Sequence, residues 1–347
     1  MLIIVHPEQP VLIVTEPRDI HADFVVGELR KRDVPVFRFH TEDFPAAAQI
    51  SLRGAGQEWS AEIRTPLRSV RLEDVRAAWL RRPGDPVVDP ALRPEIREFA
   101  VQQARSTLTA LYALIGDRWL SHPAAIRAAA DKVGQMRRAA AAGLAVPGTM
   151  ISNDADRVVE FQQRNLRLGH DTAVKSLWLG DQVSYDGSRW VPLTTKWPEN
   201  VDPGQVETIR LAPAVFQEYV PKQREIRAVA IGGQVYAASV DSQSVPSARH
   251  DVRGVARQAR YEPYDLPADV GGALLAMVGG LGLRFCSADL VLTPDNQHVF
   301  LDLNPNGQWL WLEREAGLPL SSAMAELLAA GIPEPGAERS EPRGSPR

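Results

Sequence analysis

The chain has 347 residues, 44% of them hydrophobic and 24% charged, with a formal net charge of −4. That length suits two or three subdomains; the charge argues against a nucleic-acid partner, and the single Cys286 excludes an intramolecular disulfide or a cysteine-built zinc site. No apolar run is long enough to span a membrane and the first residues lack a signal-peptide pattern, so a cytoplasmic protein without a membrane partner is expected.

Residues 1–120 read as an α/β layer. A strand at 11–15 is followed by a helix that Asp19 can cap, then by strands at 34–39, 57–64 and 75–81. A long helix over 94–115 carries Ile96, Phe99, Ala104, Leu108, Leu111 and Ile115 at helical spacing. No GxGxxG follows the first strand, which excludes a dinucleotide site there. Residues 121–214 begin with one alanine-rich helix over 126–142, stopped by Gly143. Strands at 148–151, 172–179 and 190–195 and a helix near 154–165 follow, with Asp186-Gly187 as a hairpin signal. Residues 215–332 open with a strand at 215–220, continue with strands at 225–231 and 234–241, a helix at 267–281 and strands at 284–292 and 298–304, and close on a helix at 318–330. From 333 the Pro, Gly, Glu, Ser and Arg content predicts a disordered tail.

The densest chemical signal is Asp289 with Asp302 and Asn304. If Asp295-Asn296 forms a two-residue loop, Asp289 stands opposite Asp302 at about 5 Å and Asn304 shares that face. Two carboxylates and an amide oxygen gathered there suit magnesium, which takes hard oxygen ligands and shares a substrate phosphate. The alternative is a solvated hairpin.

The segment Phe216-Gln217-Glu218-Tyr219-Val220 is a second signal, with Glu225 and Arg227 after it. Exposed backbone groups there can pair with an adenine edge, Glu218 with an exocyclic amine, Glu225 with ribose hydroxyls and Arg227 with a phosphate. A solvated strand face would carry the same alternation.

Only five of the 39 basic residues are lysine: Lys31, Lys132, Lys175, Lys196 and Lys222. A lysine retained against that bias is a candidate compact ammonium. Lys132 flanks an apolar helix face, and Lys175 sits in an apolar strand, where it needs a phosphate or a carboxylate partner. Arg253 is a possible phosphate clamp. There is no GxSxG, no Walker loop and no paired-histidine metal spacing.

In order and spacing these elements resemble the ATP-grasp superfamily. Asp302 stands where a glutamate is usual, and Ser287 replaces an arginine that some small-molecule ligases of this fold carry. A closer resemblance is to the ATP-grasp maturases of microviridin-like peptides, the graspetide synthetases. It rests on Asn304-Pro305-Asn306-Gly307-Gln308-Trp309-Leu310-Trp311, Trp79-Leu80-Arg81-Arg82-Pro83, Ser121-His122-Pro123, Ala130-Asp131-Lys132, Val146-Pro147-Gly148-Thr149 and Asp241-Ser242-Gln243. The resemblance implies an α/β (α+β) ATP-grasp fold: a Rossmann-like pre-ATP-grasp domain (1–120), a central lid (121–214) and a catalytic domain (215–332).

It also implies ATP-dependent macrocyclisation of a precursor peptide with a leader and a Thr/Asp/Glu-rich core. Side-chain carboxylates would become acyl phosphates, attacked by Ser or Thr hydroxyls (ω-ester) or Lys amines (ω-amide). By position, Lys132 and Lys175 would hold phosphates. Glu218, Tyr219 and Val220 would hold adenine, Glu225 the ribose, and Asp289, Asp302 and Asn304 Mg2+. Arg227 and Arg253 would stabilise the transferring group, and Arg81, Arg82, Trp309 and Trp311 would face the peptide. A homodimer is implied as well. The rival readings are an ATP-grasp ligase that acts on a small molecule or adds glutamate to a protein tail, and a non-catalytic ATP-binding module.

Overall fold

The computed structural model describes residues 9–177, 183–185, 188–190, 194–200, 202–242 and 260–332. In chain order the elements begin with β1 (Val11–Thr15), α1 (Ile20–Arg30), β2 (Val36–Phe39), β3 (Gln49–Ala55), β4 (Glu58–Arg64), β5 (Ser69–Arg71), β6 (Ala77–Arg82), α2 (Pro94–Ile115) and α3 (Pro123–Ala128). Next come α4 (Lys132–Ala141), β7 (Thr149–Ser152), α5 (Ala155–Arg167), β8 (Thr172–Lys175), β9 (Val183–Tyr185), β10 (Ser188–Trp190), β11 (Thr195–Lys196) and α6 (Pro203–Ile209). The chain continues through β12 (Ala214–Glu218), β13 (Arg224–Ile231), β14 (Gln234–Val240), β15 (Tyr261–Pro263), α7 (Ala268–Gly280), β16 (Phe285–Leu292), β17 (His298–Asn304), α8 (Leu310–Glu315) and α9 (Leu320–Ala329). No helix among the described residues is long and apolar enough to cross a membrane.

The chain divides into two compact units. The first joins residues 1–126, 282–285 and 319–347; the second joins 127–281 and 286–318. In the first, β1 runs parallel to β2 and β6 as the middle strand of its sheet. All five β1 residues are buried, as a strand covered on both faces requires. Asp19 caps α1 as expected, accepting from the N–H groups of His21 and Ala22. A second sheet, the antiparallel β3–β4–β5, was not expected beyond β4. The helix α2 has its predicted bounds, yet Ile96 and Phe99 point outward while Ala104, Leu108, Leu111 and Ile115 are buried. Although it follows the last strand of the chain, α9 packs on α1 and β6.

The second unit holds an antiparallel sheet ordered β11-β8-β12-β7 and a sheet ordered β15-β14-β13-β16-β17. The boundary expected at 214–215 falls inside β12, whose residues pair with β7 on one side and β8 on the other. Strands β9 and β10 pair with Tyr185 opposite Ser188, flanking the expected turn, whose own two residues lie outside those described. The single alanine-rich helix is instead two. Asp131 ends the interruption and caps α4 by accepting from Val133 N–H at 3.0 Å, so Lys132 is the first residue of a helix.

Candidate active site

Strands β16 and β17 place the acidic residues. Ser287 pairs with Asn304, Ala288 with Leu303 and Asp289 with Asp302. The reason differs from the expected one. The connection is a longer loop in which Thr293 N–H bonds Gln297 C=O and Asn296 takes a positive φ of 63°. On the loop side of the ladder Leu290 faces Phe300, so Leu301 is an extra, bulged residue. The bulge restores the register that a two-residue loop would have given.

A cation sits on each carboxylate. Arg227, on β13, donates to Asp289, and Lys132 donates to Asp302. Lys175, at the end of β8, donates to the carbonyl of Leu301 at 3.2 Å, the group that the bulge takes out of the ladder. The site is therefore charge-balanced by protein groups. The side chains of Asp289 and Asp302 are 46% and 21% exposed, so their remaining oxygens stay open to a ligand. Asn304 turns its amide oxygen onto the N–H of Asn306 at 2.9 Å, leaving a second lone pair. Among the described residues no three acidic, histidine or cysteine side chains gather as a metal site. Two carboxylates and an amide oxygen fit magnesium only where phosphates and waters complete its shell, as this ion commonly requires.

Arg227 is held from a second side. Its guanidinium carbon lies 5.8 Å from the centroid of the Trp311 ring, within cation–π range. Arg227 Nε, Trp311 Nε1 and Ser287 Oγ are buried without a hydrogen-bond partner among the described residues. Gly307 covers this corner: a Cβ there would lie 2.2 Å from Ser287 Oγ and 3.4 Å from Arg227 Nη2.

The candidate adenine segment spans the end of β12 and the residues after it. Glu218 accepts from Gly148 N–H at 3.3 Å and lies 3.4 Å from His170 Nε2. Tyr219 N–H is already bonded to Asp171 C=O at 2.8 Å, whereas Val220 N–H meets no backbone acceptor among the described residues. Glu225 pairs with Lys222 at 2.6 Å. Burial pushes the Glu225 carboxyl above its usual range, with Lys222 opposing the shift.

Two of the expected peptide-facing residues are corrected by burial. Arg81 is fully buried in the first unit beside Asp19 (3.6 Å), where it is a core cation. Trp309 is likewise at 0% exposure, a core residue next to α8. Arg82 remains partly exposed, 3.6 Å from Glu16, and Trp311 remains at the Arg227 corner. Arg253, the Asp186-Gly187 turn and the tail from 333 lie outside the described residues. Sequence reading missed Gln135, His170 and Lys222; of these only Lys222 carried a signal, as one of the few lysines. The lone Cys286 is buried with its thiol pushed up to about 12, so it is no nucleophile.

Residues 10–127 match the MvdD pre-ATP grasp domain. Over 93% of this chain and 100% of the other, the fold is similar to the macrocyclase MdnC of Microcystis aeruginosa MRC, solved with the precursor peptide MdnA (27% identity, TM-score 0.80). The macrocyclase MdnB of the same organism is similar over 93% and 100% (29% identity, TM-score 0.77). The chain has the ATP-grasp fold. It is similar to peptide macrocyclases of that fold over nearly its whole length, as its motif order implied. The ATP-grasp ligase PsnB, solved with a minimal precursor, Mg and ADP, shares the fold over 92% and 96% (21% identity, TM-score 0.73). No curated protein matches the chain.

Proposed function

We propose that this ligase macrocyclises a ribosomal precursor peptide with a leader and a Thr/Asp/Glu-rich core, using ATP and Mg2+. The observation that carries the reading is the cross-strand pair Asp289–Asp302, each member holding a cation, in a chain similar to peptide macrocyclases over nearly its whole length. Lys132 and Lys175 move from β17 to the nucleotide phosphates, which frees Asp302. Glu218 and the backbone at Tyr219 and Val220 hold adenine, and Glu225 holds the ribose. Asp289, Asp302 and Asn304 hold Mg2+, which screens the charge on the phosphates during transfer. The substrate carboxylate attacks the γ-phosphorus and ADP leaves; a Ser or Thr hydroxyl, or a Lys amine, then attacks the acyl phosphate and phosphate leaves. Arg227, joined by Arg253, stabilises the oxygens that carry charge in both steps. Arg82 and Trp311 face the peptide. The functional division is a pre-ATP-grasp domain, a lid and a catalytic domain, and the assembly is a homodimer.

Mass spectrometry tests the reading directly. A candidate precursor encoded near this chain, incubated with enzyme, ATP and Mg2+, is expected to lose water in steps of about 18 Da, the mass change of intramolecular ester or amide formation. Mild alkaline hydrolysis then separates esters from amides. An unchanged peptide mass, with ADP released only when a free carboxylate and amine are supplied, would move the assignment to a small-molecule ligase.

A further inference from the structure

The outer edge of β17, the last strand of its sheet, is covered in two ways. Near its start the backbone at Ala145 bridges Val299 and accepts from Phe300 N–H at 2.8 Å; near its end the cover is a side chain. Gln135, from α4, occupies that side at Leu303. Its Nε2 donates to Leu303 C=O at 2.8 Å, and its Oε1 accepts from Leu303 N–H at 3.1 Å. The other Nε2 hydrogen goes to Ala129 C=O at 2.7 Å, and the side chain is fully buried. Two donors and an acceptor are needed at one point, a set that a primary amide supplies and a carboxylate does not.

Leu303 lies between Asp302 and Asn304. Its N–H belongs to the rigid peptide plane that contains the Cα of Asp302, and its C=O to the plane that contains the Cα of Asn304. Holding both groups fixes the backbone from which both side chains project. The bulge at Leu301 makes this restraint necessary, because there the ladder to β16 loses its even spacing. Gln135 also stands one turn after Lys132, so the same helix fixes the cation on Asp302.

We propose that Gln135 is a positioning residue, an amide clamp that sets Asp302 and Asn304 at the spacing a divalent cation needs. This rests on the reading of those two residues as metal ligands. The full-length protein, saturated with ADP, can be titrated with Mn2+ while free Mn2+ is followed by EPR. Gln135→Met and the isosteric Gln135→Glu are each expected to weaken Mn2+ binding by about tenfold or more, the usual scale for a group that orients a ligand. Ala139→Gly weakens the same helix while leaving the Gln135 side chain unaltered, and is expected to stay within about twofold of the native protein. Asp302→Asn must also weaken binding. If it does and both Gln135 variants bind Mn2+ normally, the clamp is wrong and the metal assignment stands. If Ala139→Gly weakens binding as much as the Gln135 variants, general loosening of the helix replaces the clamp. If Asp302→Asn binds Mn2+ normally, the metal assignment falls and the clamp falls with it.

Discussion

Glu225 sits in surroundings that conflict with its charge. It is largely shielded from solvent, and that desolvation raises its carboxyl pKa, while Lys222 at 2.6 Å holds it toward the ionised form. Ribose hydroxyls would donate to the ionised carboxylate, so nucleotide binding and protonation of Glu225 oppose each other. Between the usual carboxylate value and the raised one, the folded protein keeps a proton that ribose contact must expel. ADP affinity is therefore expected to fall as pH drops through that window. Glu225→Gln should bind ADP about tenfold less tightly at pH 8, the loss of one charge-assisted hydrogen bond. It should then show only the acid-side decline that the phosphates themselves impose. Calorimetric titrations from pH 8 to pH 5 compare the two, and parallel profiles would remove Glu225 from the ribose site. At this scale the sequence was readable where chemistry demanded a residue type in a tight spacing, as at Asp289 and Asp302. It was unreadable where the question was burial. Arg81 and Trp309 sit in motif strings that resemble substrate-binding ones, yet both fill the core, because side-chain direction depends on packing partners far along the chain.

The hairpin of β16 and β17 shows the same limit at the scale of an element. Its strands and the pairing at the acidic end were legible from alternation, while the bulge and the longer loop were not, because two one-residue departures cancelled. Strand β5 spans three residues, too few for alternation to register, and the break before α4 has neither Gly nor Pro to mark it. The turn after β17 makes a sharper demand. Gly307 lies against Ser287, and a methyl group there would overlap Oγ and Cβ at 2.2 and 2.4 Å. Gly307→Ala is expected to cost about 1–3 kcal/mol, the usual penalty of overpacking. It should also displace Arg227 and Trp311 from each other, lowering turnover more than ADP binding. Gly280→Ala, at the end of α7 with nothing within 4 Å, serves as the control. Thermal melts with parallel turnover measurements separate the two effects, and a Gly307→Ala protein that melts and turns over like the native one would refute the close packing.

Across the whole molecule, the first unit is organised around a buried polar knot. Asp19 caps α1, accepts from Thr15 Oγ1 at 2.7 Å and lies beside Arg81 and His21. Burial, then Arg81, lowers the pKa of His21 to about 4 against the pull of Asp19. The folded protein thus keeps His21 neutral where the unfolded chain would protonate it, and stability is lost as pH falls from about 6.5 toward 4. Between pH 7 and pH 5 the loss attributable to His21 is roughly 2 kcal/mol. Urea unfolding of the native protein and of His21→Asn at both pH values should show a smaller pH dependence in the variant; equal slopes would exclude His21 as the cause.

The return of α9 to α1 and β6 has a consequence for the order of synthesis. A ribosome releases β1, α1 and β6 long before the segment that covers them. Until residues 320–329 emerge, the nascent first unit lacks the helix that presents Leu320, Met324, Ala325 and Leu328 to it. The apolar surface meant for that helix stays open while the catalytic strands are being made, so the earliest part of the chain to appear is among the last to close.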